Sequence, residues 1–190
     1  MALAFSCQKD SLSGFNSEEP GLRGVGDEGP AVAVMQKFRA SYELYEVDAL
    51  PEEGGLAGMR PPKGYVPRMY TARGSARFLG ELSPGTSYEI HYLPPGADLN
   101  KDTVVALVWG RFLSRENYES LFYVGECSWY PDGKRESRYE FFRGTGYLEE
   151  THGWMVGTGR ADEEGAYMKF EAKGRIFVPG WAAAPMFDPS

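Results

Sequence analysis

Glu46 and Asp48 lie two residues apart in Ser41 to Ala49, a stretch in which residue character alternates. Period-two alternation puts Tyr42, Leu44, Glu46 and Asp48 on one face of a strand, and Glu43, Tyr45 and Val47 on the other. If the first face looks into an apolar interior, two carboxylates go in with it. A buried carboxylate is costly unless it is hydrogen-bonded or protonated, and two close acids push one pKa upward. Such a pair could polarise a carbonyl or anchor a hydroxyl, so Glu46 and Asp48 are the candidate catalytic residues. Alternation alone leaves equally open a face that meets water and a pair that is ordinary solvated charge.

The other reactive side chains offer less. His91 sits between Ile90 and Tyr92, and His152 follows Glu149-Glu150; an isolated histidine is more often a hydrogen-bonded structural residue than a base. Cys7 and Cys127 are too far apart in the chain to read as a disulfide framework or a pair of metal ligands. No Cys/His/Asp cluster has ligand spacing, so no metal is expected. Gly24-x-Gly26 lacks the strand and helix of a nucleotide site, no glycine loop carries the Lys-Ser/Thr of a phosphate cradle, and no hydroxyl or thiol sits in a nucleophile motif. No cofactor is expected.

Aromatic residues describe the ligand better. Trp109, Phe112, Phe122, Tyr123, Trp129, Tyr139, Phe141, Trp154 and Phe170 all fall in stretches that read as strands, and half of them should face inward. Most must pack a core; the remainder would form a hydrophobic sleeve with a few polar handles, the usual chemistry of a concave site. The expected substrate-binding residues are Tyr42, Leu44, Trp109, Tyr123, Trp129, Tyr139, Phe141 and Trp154, with Phe5 and Phe15 folding over the mouth as a lid.

These side chains need a scaffold of short strands. Runs rich in aromatic and β-branched residues span Ser41 to Ala49, Ala76 to Leu82, Ser87 to Leu93, Thr103 to Phe112, Ser120 to Trp129, Arg138 to Phe142, Trp154 to Gly159 and Tyr167 to Phe177. Turn signals such as Ser83-Pro84-Gly85, Pro94-Pro95-Gly96, Pro131-Asp132-Gly133 and Glu163-Glu164-Gly165 separate them. About eight strands at short spacing imply an all-β fold, a closed antiparallel barrel or a sandwich, and a barrel of that size holds one small ligand. The expected division is a flexible arm over residues 1–30, a single barrel domain over 31–178 and a tail over 179–190. Pro51 to Pro67 reads as a long loop that could cover a site.

Composition narrows the class. The chain has 190 residues, enough for one core, with 24 glycines, 13 prolines and 14% aromatics, a mixture suited to tight turns and ring-filled interiors. A net charge of −7 offers no general attraction to phosphate backbones, so nucleic acid is not an expected partner. Val104 to Trp109, the longest strongly apolar stretch, is far short of a bilayer span, and the N-terminal stretch has neither signal-peptide nor transit-peptide character. The expected setting is cytoplasmic, without membrane attachment. The sequence leaves a homodimer open.

Gly144-Thr145-Gly146-Tyr147-Leu148-Glu149, followed by Gly153, resembles the glycine-rich turn that enters a late strand in allene oxide cyclases and, more loosely, in dirigent proteins. Upstream Gly125 and Tyr139 fit that context, Ala172-Lys173-Gly174-Arg175-Ile176 resembles the family's last strand, and Tyr45-Glu46-Val47-Asp48 resembles the Tyr-Glu-Ile-Asn of its first. About two-thirds of the chain takes part; Gly54 to Asn100 does not align. The resemblance implies a closed barrel of about eight strands and a cofactor-free cyclase, nearest in kind to bacterial spirotetronate and spirotetramate cyclases. These fold a polyene polyketide for an intramolecular Diels-Alder reaction. It favours an inward role for Glu46 and puts Asp48, where the family has Asn, in doubt. The competing expectation is a dirigent-like or lipocalin-like barrel that binds a small hydrophobic ligand without chemistry.

Overall fold

The computed structural model describes residues 35–49, 62–164 and 166–178. The expected arm with Phe5 and Phe15, most of the Pro51 to Pro67 loop and the C-terminal tail lie outside the described residues. Nine strands follow in chain order: β1 (Met35–Val47), β2 (Val66–Ala76), β3 (Gly80–Glu81), β4 (Tyr88–Leu93), β5 (Val104–Leu113), β6 (Ser120–Trp129), β7 (Lys134–Gly144), β8 (His152–Ala161) and β9 (Tyr167–Phe177). A single 3-10 turn, Gly146–Leu148, joins β7 to β8, and the described residues contain no α-helix.

The sheet runs β1-β9-β8-β7-β6-β5-β4-β2-β3, and β1 also pairs with β2. That second pairing closes eight strands into an antiparallel barrel and leaves β3 as a short extra strand on β2. Closure removes the free edges that a sheet of alternating strands would otherwise present.

Most strands lie where the pattern of apolar residues puts them, and β2 does not. The sequence favours Ala76 to Leu82, yet the strand is Val66–Ala76, and residues 77–79 form the turn into β3. The buried residues of β2 are Tyr70, Ala72 and Ala76, mostly too small to register as a hydrophobic face. Pro67 near its start also reads as loop; a proline is tolerated there because a strand's first residues need not donate to the ladder.

Rings fill the lumen. Tyr42 packs against Phe112 with centroids 5.0 Å apart and stacks on Phe170 at 5.5 Å, Phe112 meets Tyr123 at 4.7 Å, and Phe38 meets Phe141 at 4.8 Å. A β-carbon on Gly110 would stand 2.1 Å from Cζ of Tyr123, so the bare backbone of β5 is what lets that ring lie flat across it. The two ends of the barrel differ. Where β1 begins, Phe38, Phe78, Leu79, Leu82, Leu148 and Ile176 make an apolar plug. Where β1 ends, Glu46, Arg68, Trp129 and Arg135 make a polar end.

Candidate functional site

Strand β4 reads Tyr88-Glu89-Ile90-His91-Tyr92-Leu93, and all six residues are buried. Glu89 and His91 face the lumen. Tyr88, Ile90 and Tyr92 face outward into a second apolar cluster with Tyr65, Met69, Leu107 and Trp109. A carboxylate at zero exposure needs compensation from every side. Tyr42 and Tyr123 donate their hydroxyls to Oε1 of Glu89 at 3.0 and 2.9 Å, and Tyr139 donates to Oε2 at 3.1 Å. Nε2 of His91 completes the set at 2.7 Å from Oε2. Four donors on two oxygens suit an acceptor-only carboxylate.

The tautomer of His91 follows from its other neighbour. Trp129 Nε1, which can only donate, lies 3.2 Å from His91 Nδ1. Nδ1 must therefore accept, the proton sits on Nε2, and His91 donates it to Glu89 as a neutral imidazole. Burial, and after it the negative charge of Glu89, holds the hydroxyls of Tyr42, Tyr123 and Tyr139 well above the ordinary tyrosine pKa, so all three remain donors. The Cys127 thiol is pushed up by burial first and Glu89 second, which keeps it protonated and unreactive.

Above this network lies the polar end. Two guanidiniums flank the Trp129 ring: Arg135 with Cζ 4.3 Å from its centroid and Arg68 at 5.4 Å. Arg68 grips Glu46 through its side edge, Nε to Oε1 at 2.8 Å and Nη2 to Oε2. This pair is partly open to solvent, with side chains 29% exposed for Glu46 and 21% for Arg68. Arg135 is only 5% exposed; Nη1 donates to the carbonyls of Tyr130 and Lys134, Nε has no partner, and burial lowers its pKa. Tyr70, fully buried with its ring 5.1 Å from His91, also has an unpartnered hydroxyl. Burial is the largest influence on that hydroxyl and pushes its pKa well up, and the charges of Arg68, Glu46 and Arg135 all act on it.

Several expected site residues meet here and others do not. Tyr42, Leu44, Tyr123, Trp129, Tyr139 and Phe141 are buried in the barrel core. Glu46 shares their face of β1 but stands at the rim, paired with Arg68. Asp48 lies one residue past the end of β1 and is exposed, so it shares no interior site with Glu46. Trp109 belongs to the outer cluster because Val108 and Gly110 take the inward positions beside it, and Trp154 is 44% exposed because Met155 turns inward in its place. His152 stacks on Phe177 away from the network, at 4.5 Å.

Glu89, Arg68, Tyr70 and Arg135 escape a reading of the sequence, whereas His91 is satisfied at both nitrogens, as a structural histidine should be. Two concave surfaces lined by described residues lie on the outer wall; the larger of them, about 820 Å³, is bordered by Lys37, Arg39, Arg77 and Lys173. Among the described residues no three of His, Cys, Asp or Glu gather as metal ligands, and no helix is long and apolar enough to cross a membrane. No family model matches the chain, and no curated protein is significantly similar to it.

Proposed function

We propose that the barrel binds a small, largely apolar polyene at its polar end and promotes its intramolecular cyclisation, of the Diels-Alder type, without a cofactor. The observation that carries this reading is the Tyr70 hydroxyl: buried, unpartnered and held protonated on a strand paired on both sides. A fixed donor of this kind lowers a barrier by hydrogen-bonding an oxygen as charge builds on it, here the carbonyl that activates a dienophile. Confinement supplies the rest: holding diene and dienophile in one folded shape replaces entropy that a free chain would lose on the way to reaction, worth several kcal/mol. The ring-filled lumen beneath, braced by the Glu89 network, is a rigid floor for such a site.

One observation favours a barrel that binds without chemistry. Both oxygens of Glu89 and both nitrogens of His91 are occupied by internal partners, so neither has a position free to move a proton to or from a ligand. The experiment that separates the two readings is a single-turnover incubation with a linear triene that carries an unsaturated ketone. A cyclase returns a cyclised isomer of unchanged mass, faster with the native chain than with Tyr70→Phe; a carrier returns the triene intact.

A further inference from the structure

We propose that Arg135 receives a carboxylate carried by the ligand of this barrel, an inference that rests on reading the polar end as the place of binding. The two arginines beside Trp129 are the argument. Arg68 uses its Nε and Nη2 edge as a fork on the Glu46 carboxylate, the planar arrangement for which a guanidinium is best suited. Arg135 lies against the same indole, closer in, and its corresponding edge takes no carboxylate among the described residues. Nη1 is tied to two backbone carbonyls, the face is covered by Trp129, and Nε is buried without a partner. Those contacts fix the plane of the guanidinium and leave the Nε side as the edge that a further anion can take.

Burial makes the partner matter. An unpaired cation at 5% exposure is costly, and an unpaired donor on it adds to the cost. Glu89 offsets the charge only at a distance, since Trp129 and His91 stand between it and Arg135. The charged groups that act on Arg135 are Arg68, a second cation, and Asp132, whose Oδ1 accepts the backbone N–H of Lys134 and which makes no hydrogen bond to the guanidinium. The Tyr70 hydroxyl, on which both guanidiniums act, is a second buried donor without a partner. A ligand carboxylate would meet the fork of Arg135 and lay its apolar chain against the rings of the mouth, and the Tyr70 hydroxyl would remain for a carbonyl further along that chain. A neutral ester of the same chain would lose the charge-assisted bonds and leave the cation buried.

The test uses the full chain and two probes of equal length, a decadienoate and its methyl ester, with binding measured by calorimetry at neutral pH. The native protein should bind the acid about tenfold or more tighter than the ester, the gain that one charge-assisted hydrogen-bonded pair gives. Arg135→Met, similar in volume, should bring the two within about twofold of each other while leaving the ester's affinity in place. Arg135→Lys, which keeps charge without the fork, should fall between. Equal affinity of acid and ester for the native protein overturns the carboxylate assignment and leaves the apolar-ligand reading intact; failure to bind either probe overturns both. If Arg135→Met retains the full preference, Arg135 serves only to offset Glu89 and the proposal is wrong. The native comparison and Arg135→Lys decide the matter even if Arg135→Met does not fold.

Discussion

Trp129 donates its indole N–H to Nδ1 of His91, 3.2 Å away, and so places the imidazole proton on the nitrogen that faces Glu89. Trp129→Phe keeps a ring face for Arg135 but removes that donor, leaving a buried nitrogen unsatisfied at a cost of about 1 to 3 kcal/mol in chemical denaturation. Nitrogen NMR of labelled His91 should show the Nε2–H tautomer in the native protein. A proton on Nδ1 would sink this account of the network.

Glu89→Gln tests the carboxylate itself. An amide puts an N–H group at one of the two positions, so either the Tyr42 and Tyr123 hydroxyls or the Tyr139 hydroxyl and the His91 N–H lose their acceptor, and His91 cannot change tautomer without losing Trp129. Breaking such a buried charged network costs about 3 to 5 kcal/mol. Tyr139→Phe, which removes one donor of four, should cost about 1.5 to 3 kcal/mol. A Glu89→Gln protein as stable as the native one would show that the carboxylate is not what the three tyrosines hold.

The site explains what the sequence can and cannot disclose. In β4 the apolar residues Tyr88, Ile90 and Tyr92 alternate with Glu89 and His91, and alternation assigns the apolar set to the interior. The barrel does the reverse, because the apolar face packs with Tyr65, Met69, Leu107 and Trp109 on the outer side of the wall while four donors, the hydroxyls of Tyr42, Tyr123 and Tyr139 and the Trp129 N–H, meet the polar one from within. A strand buried on both faces carries no periodic sign of which face is which. By contrast Tyr42 and Leu44 sit on a strand with one wet face, and spacing groups them with Glu46 on one face, leaving it to the fold to turn that face inward and set Glu46 at its rim. Arg68 and Arg135 look like ordinary surface charge until strand register brings them to one indole.

Glu46→Gln should matter little to folding. The pair with Arg68 is partly solvated, and exposed pairs contribute up to about 1 kcal/mol, so denaturation midpoints should move by no more than that. A loss above about 2 kcal/mol would mean that Glu46 holds the rim together rather than lining it.

Alkaline pH should unfold the barrel through its tyrosines. Tyr42, Tyr123 and Tyr139 have folded-state pKa values raised well above the ordinary 10.0, so the stability they contribute is fully present below pH 10 and is lost as pH rises toward the folded-state values. Unfolding free energy from these groups should be level from neutral pH to about 9, then fall by roughly 1.4 kcal/mol per pH unit for each tyrosine that ionises only on unfolding. Tyr139→Phe should flatten that slope by one such increment. Tyrosinate absorbance from the buried rings should appear with the loss of circular dichroism; if it appears well before, the hydroxyls are not held as described.

Gly110→Ala reaches the network from a residue that is not one of its members. The added methyl would lie 2.1 Å from Cζ of Tyr123, so the ring must shift from the position in which its hydroxyl reaches Glu89 at 2.9 Å. Overpacking of this kind costs about 1 to 3 kcal/mol and the lost charge-assisted bond about 1.5 to 3 kcal/mol more. The two effects share one ring, so they should not add independently to a second change at Tyr123. Tyr123→Leu alone removes the hydrogen bond and opens space over Gly110. In that background Gly110→Ala should cost little, and a double-mutant cycle should give a coupling of at least about 1 kcal/mol. If Gly110→Ala is equally costly with and without the Tyr123 ring, the glycine serves the backbone of β5 rather than the seating of Tyr123, and the link from that strand to Glu89 falls.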